Sequence, residues 1–247
     1  MQYIPQEDLF RFTIIGTETD IADRLHYHAL CAMLQEAACL DVDHHGFGAD
    51  VMDCYHACWL LLRMRVDMVK IPKWKDAIYI RTWSNGYQKV LFNREFAILD
   101  EMKEEIGRAT SVWIIAQQGD HRPIRPSTIP GMDVYACTEP SDQKIDKLFP
   151  PDEEKRESAH VLTRYADYSD IDRNMHVNNT RYIAWSEDSF YSQKDVSTQI
   201  RSMTINYASE VKPGEEVKIY RSNTEDGVQI DGFEVATGRH VFSSRFS

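Results

Sequence analysis

Apolar positions change their period several times along the chain, and each change marks an element. LFRFTIIG, from Leu9 to Gly16, reads as a strand. In ADRLHYHALCAMLQEAACLDVDHHGFG, Leu30, Met33, Leu34, Ala37 and Ala38 recur three and four apart and the pattern stops at Gly46 and Gly48, which predicts a helix with a broad apolar face. Four segments follow, CWLLLRMRVDM, AIYIRTW, VLFNREFAIL and IGRATSVWIIA, rich in β-branched and aromatic residues. They predict four strands, with Asn85-Gly86 as the turn signal between the second and third. The first half therefore reads strand, helix, four strands.

The same order returns after a break. Six of the nine prolines, Pro123, Pro126, Pro130, Pro140, Pro150 and Pro151, fall between residues 118 and 157 with charge-rich DQKIDK and PDEEKRE, a composition that predicts a connector. Beyond it HVLTRYA reads as a strand, NTRYIAWSEDSFYSQ as a helix, and IRSMTINYASE, EVKIYRSN, GVQIDGFEV and GRHVFSSRF as strands. TDIADRLH (Thr19 to His26) matches SDIDRNMH (Ser169 to His176) when one residue is skipped, and IPKWKDAIYI resembles KPGEEVKIY with an offset of one. Such self-similarity indicates a duplicated unit. The expected organisation is a domain over 1–120, a connector over 121–157 and a domain over 158–247. One helix against an antiparallel run is an α+β layout, and two such sheets side by side pair their edges.

Composition narrows the function classes. A net charge of -11, from 28 Lys and Arg against 39 Asp and Glu, argues against general affinity for nucleic acid or an anionic membrane. Five cysteines, Cys31, Cys39, Cys54, Cys58 and Cys137, are an odd number in a chain long enough for a core, so reduced thiols in a cytoplasm are expected rather than a disulfide framework. Cys54, His56 and Cys58 lack further ligands at recognisable spacing, and neither a metal nor another cofactor is expected. The opening MQYIPQEDLF has no basic and then apolar run of a leader, and no stretch reaches the roughly 18 apolar residues of a membrane span.

The chemistry concentrates in SDIDRNMHVNNTRYIAW, Ser169 to Trp185. As a calcium loop it matches Asp170, Asp172 and Asn174, but the required glycine is Met175 and the bidentate glutamate is Arg181. Capping by Asn178 or Asn179 of a helix whose Tyr182, Ile183, Ser186 and Phe190 face the core explains the asparagines and aspartates. It leaves His176 unexplained at the mouth of that helix, where N–H groups and the dipole favour developing negative charge. By spacing alone the stretch is equally a capped turn or an active site.

DIDRNMHVNNTRYIAW resembles the Asp-x-Asn-x-His-Val-Asn-Asn-x-x-Tyr-Ile-x-Trp signature of acyl-acyl carrier protein (acyl-ACP) thioesterases. MLQEAA (Met33 to Ala38), PKWKD (Pro72 to Asp76), RTW (Arg81 to Trp83) and GRATSVW (Gly107 to Trp113) resemble that family's first half in the same order. The resemblance implies a tandem hot-dog fold, each sheet wrapped around a central helix. It implies Asp172, Asn174 and His176 as catalytic residues, with Glu210, thirty-four positions after the histidine, as a further acid. Plant members often have cysteine next to that acid, and Val211 stands here, so water attack without an acyl-enzyme is expected.

On that reading Asp172 and Glu210 share a site and activate water, His176 and Asn174 polarise the carbonyl, and N–H groups of Val177 to Asn179 complete an oxyanion site. In the first half His26 and Asp23 stand where the motif falls, a degenerate copy that lends its helix and sheet to an acyl-chain pocket. The implied partner is an acidic carrier protein, for which Arg63, Arg65, Lys70, Lys73 and Lys75, or Lys144, Lys147, Lys155 and Arg156, are the candidate contacts. An acyl-CoA thioesterase and a non-catalytic acyl-binding module are the competing functions, and the chain is open to either a monomer or a homodimer.

Overall fold

The computed structural model describes residues 1–4, 9–132, 145–152 and 160–247, the side chains of residues 160 and 161 excepted. Among them eleven strands form one sheet. The first half contributes β1 (Gln2–Ile4), β2 (Leu9–Thr13), β3 (Ala57–Met68), β4 (Ala77–Gln88), β5 (Leu91–Leu99) and β6 (Glu105–Gln117). The second contributes β7 (His160–Tyr165), β8 (Ser202–Tyr207), β9 (Glu216–Thr224), β10 (Gly227–Glu234) and β11 (His240–Phe246). Their order across the sheet is β1-β2-β4-β5-β6-β3-β8-β11-β10-β9-β7, with antiparallel neighbours throughout. The seam is β3 against β8, in register from Arg63 opposite Asn206 to Asp67 opposite Ser202. That pairing gives each inner edge its missing hydrogen-bond partners.

Two helices lie against the sheet, α1 (Tyr27–His44) and, after the short α2 (Ala49–Cys54), α3 (Asn179–Tyr191). The apolar face read from the sequence is the one that packs. Leu30, Met33, Leu34, Ala37 and Ala38 are buried on α1, as are Tyr182, Ile183, Ser186 and Phe190 on α3. The helices also contact each other, and Tyr27 and Phe190 both meet the ring of Phe246, at 6.4 and 5.6 Å between centroids. Leu34 is 0% exposed, so truncating it to alanine is a change of about 2–5 kcal/mol.

Asn85-Gly86 is not the hairpin turn. The chain reverses at Lys89 and Val90, since Gln88 pairs with Leu91, while the register slips between Ser84 and Tyr87. Gly86, at φ 73, thus serves a bulge within β4, which needs the same left-handed backbone as a tight turn. Between the two halves Ile129, Met132, Ile145 and Leu148 are buried. Cys137, Pro140, Lys144, Lys155 and Arg156 lie outside the described residues.

Candidate active site

The turn before α3 is built by its acidic residues. Asp170, 5% exposed, accepts Arg181 Nε at 2.6 Å and the Asp167 N–H at 3.2 Å, while its carbonyl accepts the Asn178 N–H at 2.8 Å. It is a structural pin, which disposes of the calcium pattern. Asp172 closes the next turn: its N–H donates to His176 O at 2.9 Å, and Oδ1 accepts the Asn174 N–H at 2.8 Å. Met175 reverses the chain at φ 64. Asn178 then caps α3, its Oδ1 accepting the Thr180 N–H at 2.9 Å. These bonds present Asn174 at the surface and His176 half-buried beside the helix start.

Glu210 arrives from the loop after β8. His176 Nε2 lies 3.2 Å from Glu210 Oε2, and His121 Nδ1 lies 2.8 Å from Oε1. The two imidazole rings meet edge to face at 5.6 Å. Arg239 Nη2 donates to Glu210 O at 2.9 Å and is itself held by Glu215 and Glu234. The neighbouring Val211 is 0% exposed; its carbonyl accepts the Val177 N–H at 2.9 Å and its N–H donates to Tyr182 Oη at 3.2 Å. Val211, the residue beside Glu210, thus faces the core.

The structure gathers His176 with Glu210 and ties Asp172 to Asn174. It corrects two expectations, on the oxyanion N–H groups and on the first-half copy. Glu210 itself meets two imidazoles, those of His121 and His176. Of the three N–H groups expected to face an oxyanion, Val177 donates to Val211 O and Asn178 to Asp170 O, which leaves Asn179. In the first half the counterpart of His176 is Arg24, not His26. The isolated bridge Thr19 to Leu25 repeats Ile171 to Val177, and Asp20 N–H to Arg24 O at 2.8 Å repeats Asp172 N–H to His176 O. Asp23 has the φ of Met175, 64 in both cases. Leu25 donates to Pro72 O as Val177 does to Val211 O, so Ile71 takes the place of Glu210. Aspartate survives as Asp20, but asparagine, histidine and glutamate have become Ala22, Arg24 and Ile71.

His121 was missed in the sequence. It is the first residue of the expected connector, but the turn that holds it folds back on β6 and so goes with the first half: its N–H donates to Gln117 O at 3.1 Å and its φ is 54. Nearby, burial followed by the Glu210 charge pushes the half-buried Cys58 thiol up, away from thiolate character. Burial, outweighing the Val211 N–H bond and joined by the charge of Glu210, raises Tyr182, which stays a neutral phenol.

A second ionic cluster sits at the start of α1. Glu187 on α3 accepts the N–H groups of Tyr27 at 2.8 Å and His28 at 3.1 Å, and meets His28 Nδ1 at 2.6 Å and His26 Nδ1 at 3.6 Å. Burial alone would raise this carboxyl; the His26 and His28 contacts overcome it and hold Glu187 down at about 2. His26, His28 and Glu187 are the one described trio of metal-type side chains close enough to share an ion. Their atoms already satisfy one another and cap α1.

The chain matches the family models for the acyl-ACP thioesterase N-terminal domain over residues 9–128 and the C-terminal domain over 152–240. It belongs to the acyl-ACP thioesterase family. Its relatives include an oleoyl-acyl carrier protein thioesterase of Arabidopsis thaliana, 29% identical over 81% of this chain and 58% of that protein. A palmitoyl-acyl carrier protein thioesterase of Gossypium hirsutum is 28% identical over 78% and 52%. The chain thus spans between half and two thirds of the length of these chloroplastic relatives. Among solved structures, an acyl-ACP thioesterase of Bacteroides thetaiotaomicron superposes with a TM-score of 0.81 at 24% identity, covering 96% of each chain. The 12:0-ACP thioesterase of Umbellularia californica gives 0.81 at 21% identity, over 97% and 96%. The fold is the double hot dog of these enzymes, α+β, with both helices against one long antiparallel sheet. No described helix is long and apolar enough to cross a membrane.

Proposed function

We propose that the chain hydrolyses the thioester of a fatty acyl-ACP to free fatty acid and carrier thiol. The observation that carries this reading is the His176–Glu210 pair, 3.2 Å apart, on the loops that meet at the start of α3. Glu210, whose side chain is 40% exposed, takes a proton from water as the oxygen attacks the thioester carbon. His176, with the Asn174 amide and the Asn179 N–H, steadies the oxyanion. The C–S bond then breaks, the electron pair leaves with sulfur, and the proton on Glu210 returns to the thiolate. Thiolates leave readily because a thiol is far more acidic than an alcohol. Asp172 sets the turn that aims Asn174 and His176. No acyl-enzyme forms, because Val211 replaces the cysteine and Cys58 is not held as a thiolate.

We assign the acyl chain to the first half. A largely apolar cleft of about 400 Å³, mouth included, opens between the second half of α1 and strands β3 to β6, with Ala38, Val42, Trp59, Phe92 and Trp113 in its wall. Arg94 also lines it and is neutralised by Asp41 at 2.7 Å. Residues 158–247 supply most of the reacting groups. The carrier needs a basic contact, and the first-half candidates fit poorly: Arg65 is engaged by Asp67, Lys70 by Asp100, and the bridge between Arg24 and Lys73 sets Lys73 at the first-half turn. Four free thiols among the described residues support a reducing cytoplasm as the place of the reaction.

The test compares one acyl group on carrier protein and on CoA, with Glu210→Gln as control. Carrier preference and a kcat loss of about 10²–10⁴-fold in the variant are expected, the range for removing a general base. Preference for CoA would move the chain to the acyl-CoA reading; full activity in the variant would dismiss the assigned base.

A further inference from the structure

Glu210 is gripped from both halves of the molecule, and only one of its two imidazole partners lies in the motif. Its side chain is 40% exposed and sits on a loop, so a carboxylate there has rotamers to choose among. His176 fixes one oxygen at 3.2 Å, and His121 fixes the other at 2.8 Å. His121 is itself rigidly placed. The turn that holds it is closed by His121 N–H to Gln117 O at 3.1 Å, Gln117 N–H to Arg122 O at 2.9 Å and Ile124 N–H to Ile115 O at 2.9 Å. Gln118 anchors the same turn to the start of β3, through its N–H to His56 O at 2.8 Å and its amide to Ala57 O at 3.1 Å. The edge-to-face contact of the two rings, at 5.6 Å, leaves Glu210 spanning them.

We propose that His121, contributed by the first half, is the positioning residue for Glu210, so that the active site is complete only when both halves are folded and docked. This rests on the thioesterase reading above. A carboxylate with an imidazole nitrogen close to each oxygen has few orientations left, and the one it keeps faces the attacking water. Loss of the His121 ring frees the Oε1 side, and Glu210 then populates orientations that do not face the thioester. The first-half turn has no equivalent device, because Ile71 takes the place of Glu210.

The experiment measures acyl-ACP hydrolysis by His121→Ala, His121→Asn, Glu210→Ala and the double variant His121→Ala/Glu210→Ala, with thermal unfolding of each. His121→Ala is expected to lose between about tenfold and 10²-fold in kcat, the scale of a displaced catalytic group, with KM moved less than about twofold. His121→Asn should recover most of that loss. Asparagine tolerates the left-handed backbone at φ 54, and its amide nitrogen stands where Nδ1 stood. The double variant should be no slower than Glu210→Ala, because a residue acting through Glu210 has nothing to position once it is gone. Multiplying losses in the double variant, or an unchanged kcat in His121→Ala, would overturn the proposal. If the wild type hydrolyses no thioester, the functional reading fails instead. The pair is then judged by the 15N resonances of labelled histidine: the His121 ring signal shifts in Glu210→Ala if the contact exists and stays put if it does not.

Discussion

The turns that precede α1 and α3 share a backbone and have diverged in every side chain but one. In the second half, Asp172, Asn174 and His176 stand at an open helix start with Glu210 across from them. In the first, Asp20 and Arg24 make an ion pair at 2.7 Å, and Arg24 also donates to Val196 O at 2.6 Å and Thr198 O at 3.1 Å. The start of α1 is stoppered by Glu187 reaching over from α3. One copy leaves its helix N-terminus without such a stopper; the other offers it to the partner half. The same electrostatics, an anion at the positive end of a helix, serves docking at α1 and, on the proposed mechanism, catalysis at α3. A duplicated fold can therefore retain a turn for its geometry after losing its chemistry.

The aspartate common to both turns gives the sharpest contrast. In each, Oδ1 accepts an N–H two residues on, Asn174 at 2.8 Å and Ala22 at 2.8 Å. If Asp172 acts through that bond, Asp172→Asn retains an acceptor oxygen and keeps kcat within about tenfold, whereas Asp172→Ala loses about 10²-fold or more by releasing Asn174 and His176. Asp20→Asn leaves hydrolysis untouched. Equal losses in Asp172→Asn and Asp172→Ala would make Asp172 the proton acceptor and demote Glu210.

The stopper comes next in size. Glu187 is 5% exposed and answers one buried and one part-buried N–H group, so Glu187→Ala is expected to destabilise by about 2–4 kcal/mol, the range for orphaned donors beside a half-exposed imidazole pair. Urea unfolding measures it. Activity per folded molecule should persist, because the change lies at the first-half turn. A variant of unchanged stability would mean that water caps α1 as well as the carboxylate does.

Most of the strand and helix framework was legible in the sequence because alternation and helical spacing are local signals that survive burial on one face. What escaped was short or depended on distant partners. β1 has three residues and exists through pairing with β2, from Gln2 opposite Arg11 to Ile4 opposite Leu9. α2 has six residues, too few to show a period. Asn85-Gly86 announced positive φ correctly but not whether a turn or a bulge would use it. The first-half copy was matched histidine to histidine, His26 to His176, whereas hydrogen bonding aligns Arg24 with His176 and makes His26 the counterpart of the Asn178 cap. In the site, the motif displayed Asp172, Asn174 and His176, and the family spacing supplied Glu210. His121 had no signal at all, since an isolated histidine in a Gly-Asp-His-Arg turn acquires meaning only from a carboxylate in the other half.

The smallest expected effect is a pH dependence confined to the first-half turn. His26 is raised by its contact with Glu187, opposed by burial and helped by the charges of Asp20 and Asp188. His28 and Glu187 face it from α1 and α3. A histidine raised on folding stabilises fully below its unfolded value near 6.5, and that contribution fades as pH climbs through the higher folded value. Glu187, depressed to about 2, behaves oppositely: its contribution holds above its ordinary value of 4.5 and is lost only as pH falls toward 2. Between about pH 6 and 9, roughly the titration span of a raised histidine, the carboxylate is therefore constant, and the difference in unfolding free energy between wild type and His26→Gln isolates the imidazole. That difference should shrink with rising pH over this window. A difference that is flat, or that grows, would mean His26 is held by packing against His28, 4.7 Å away between ring centres, and not by its charge.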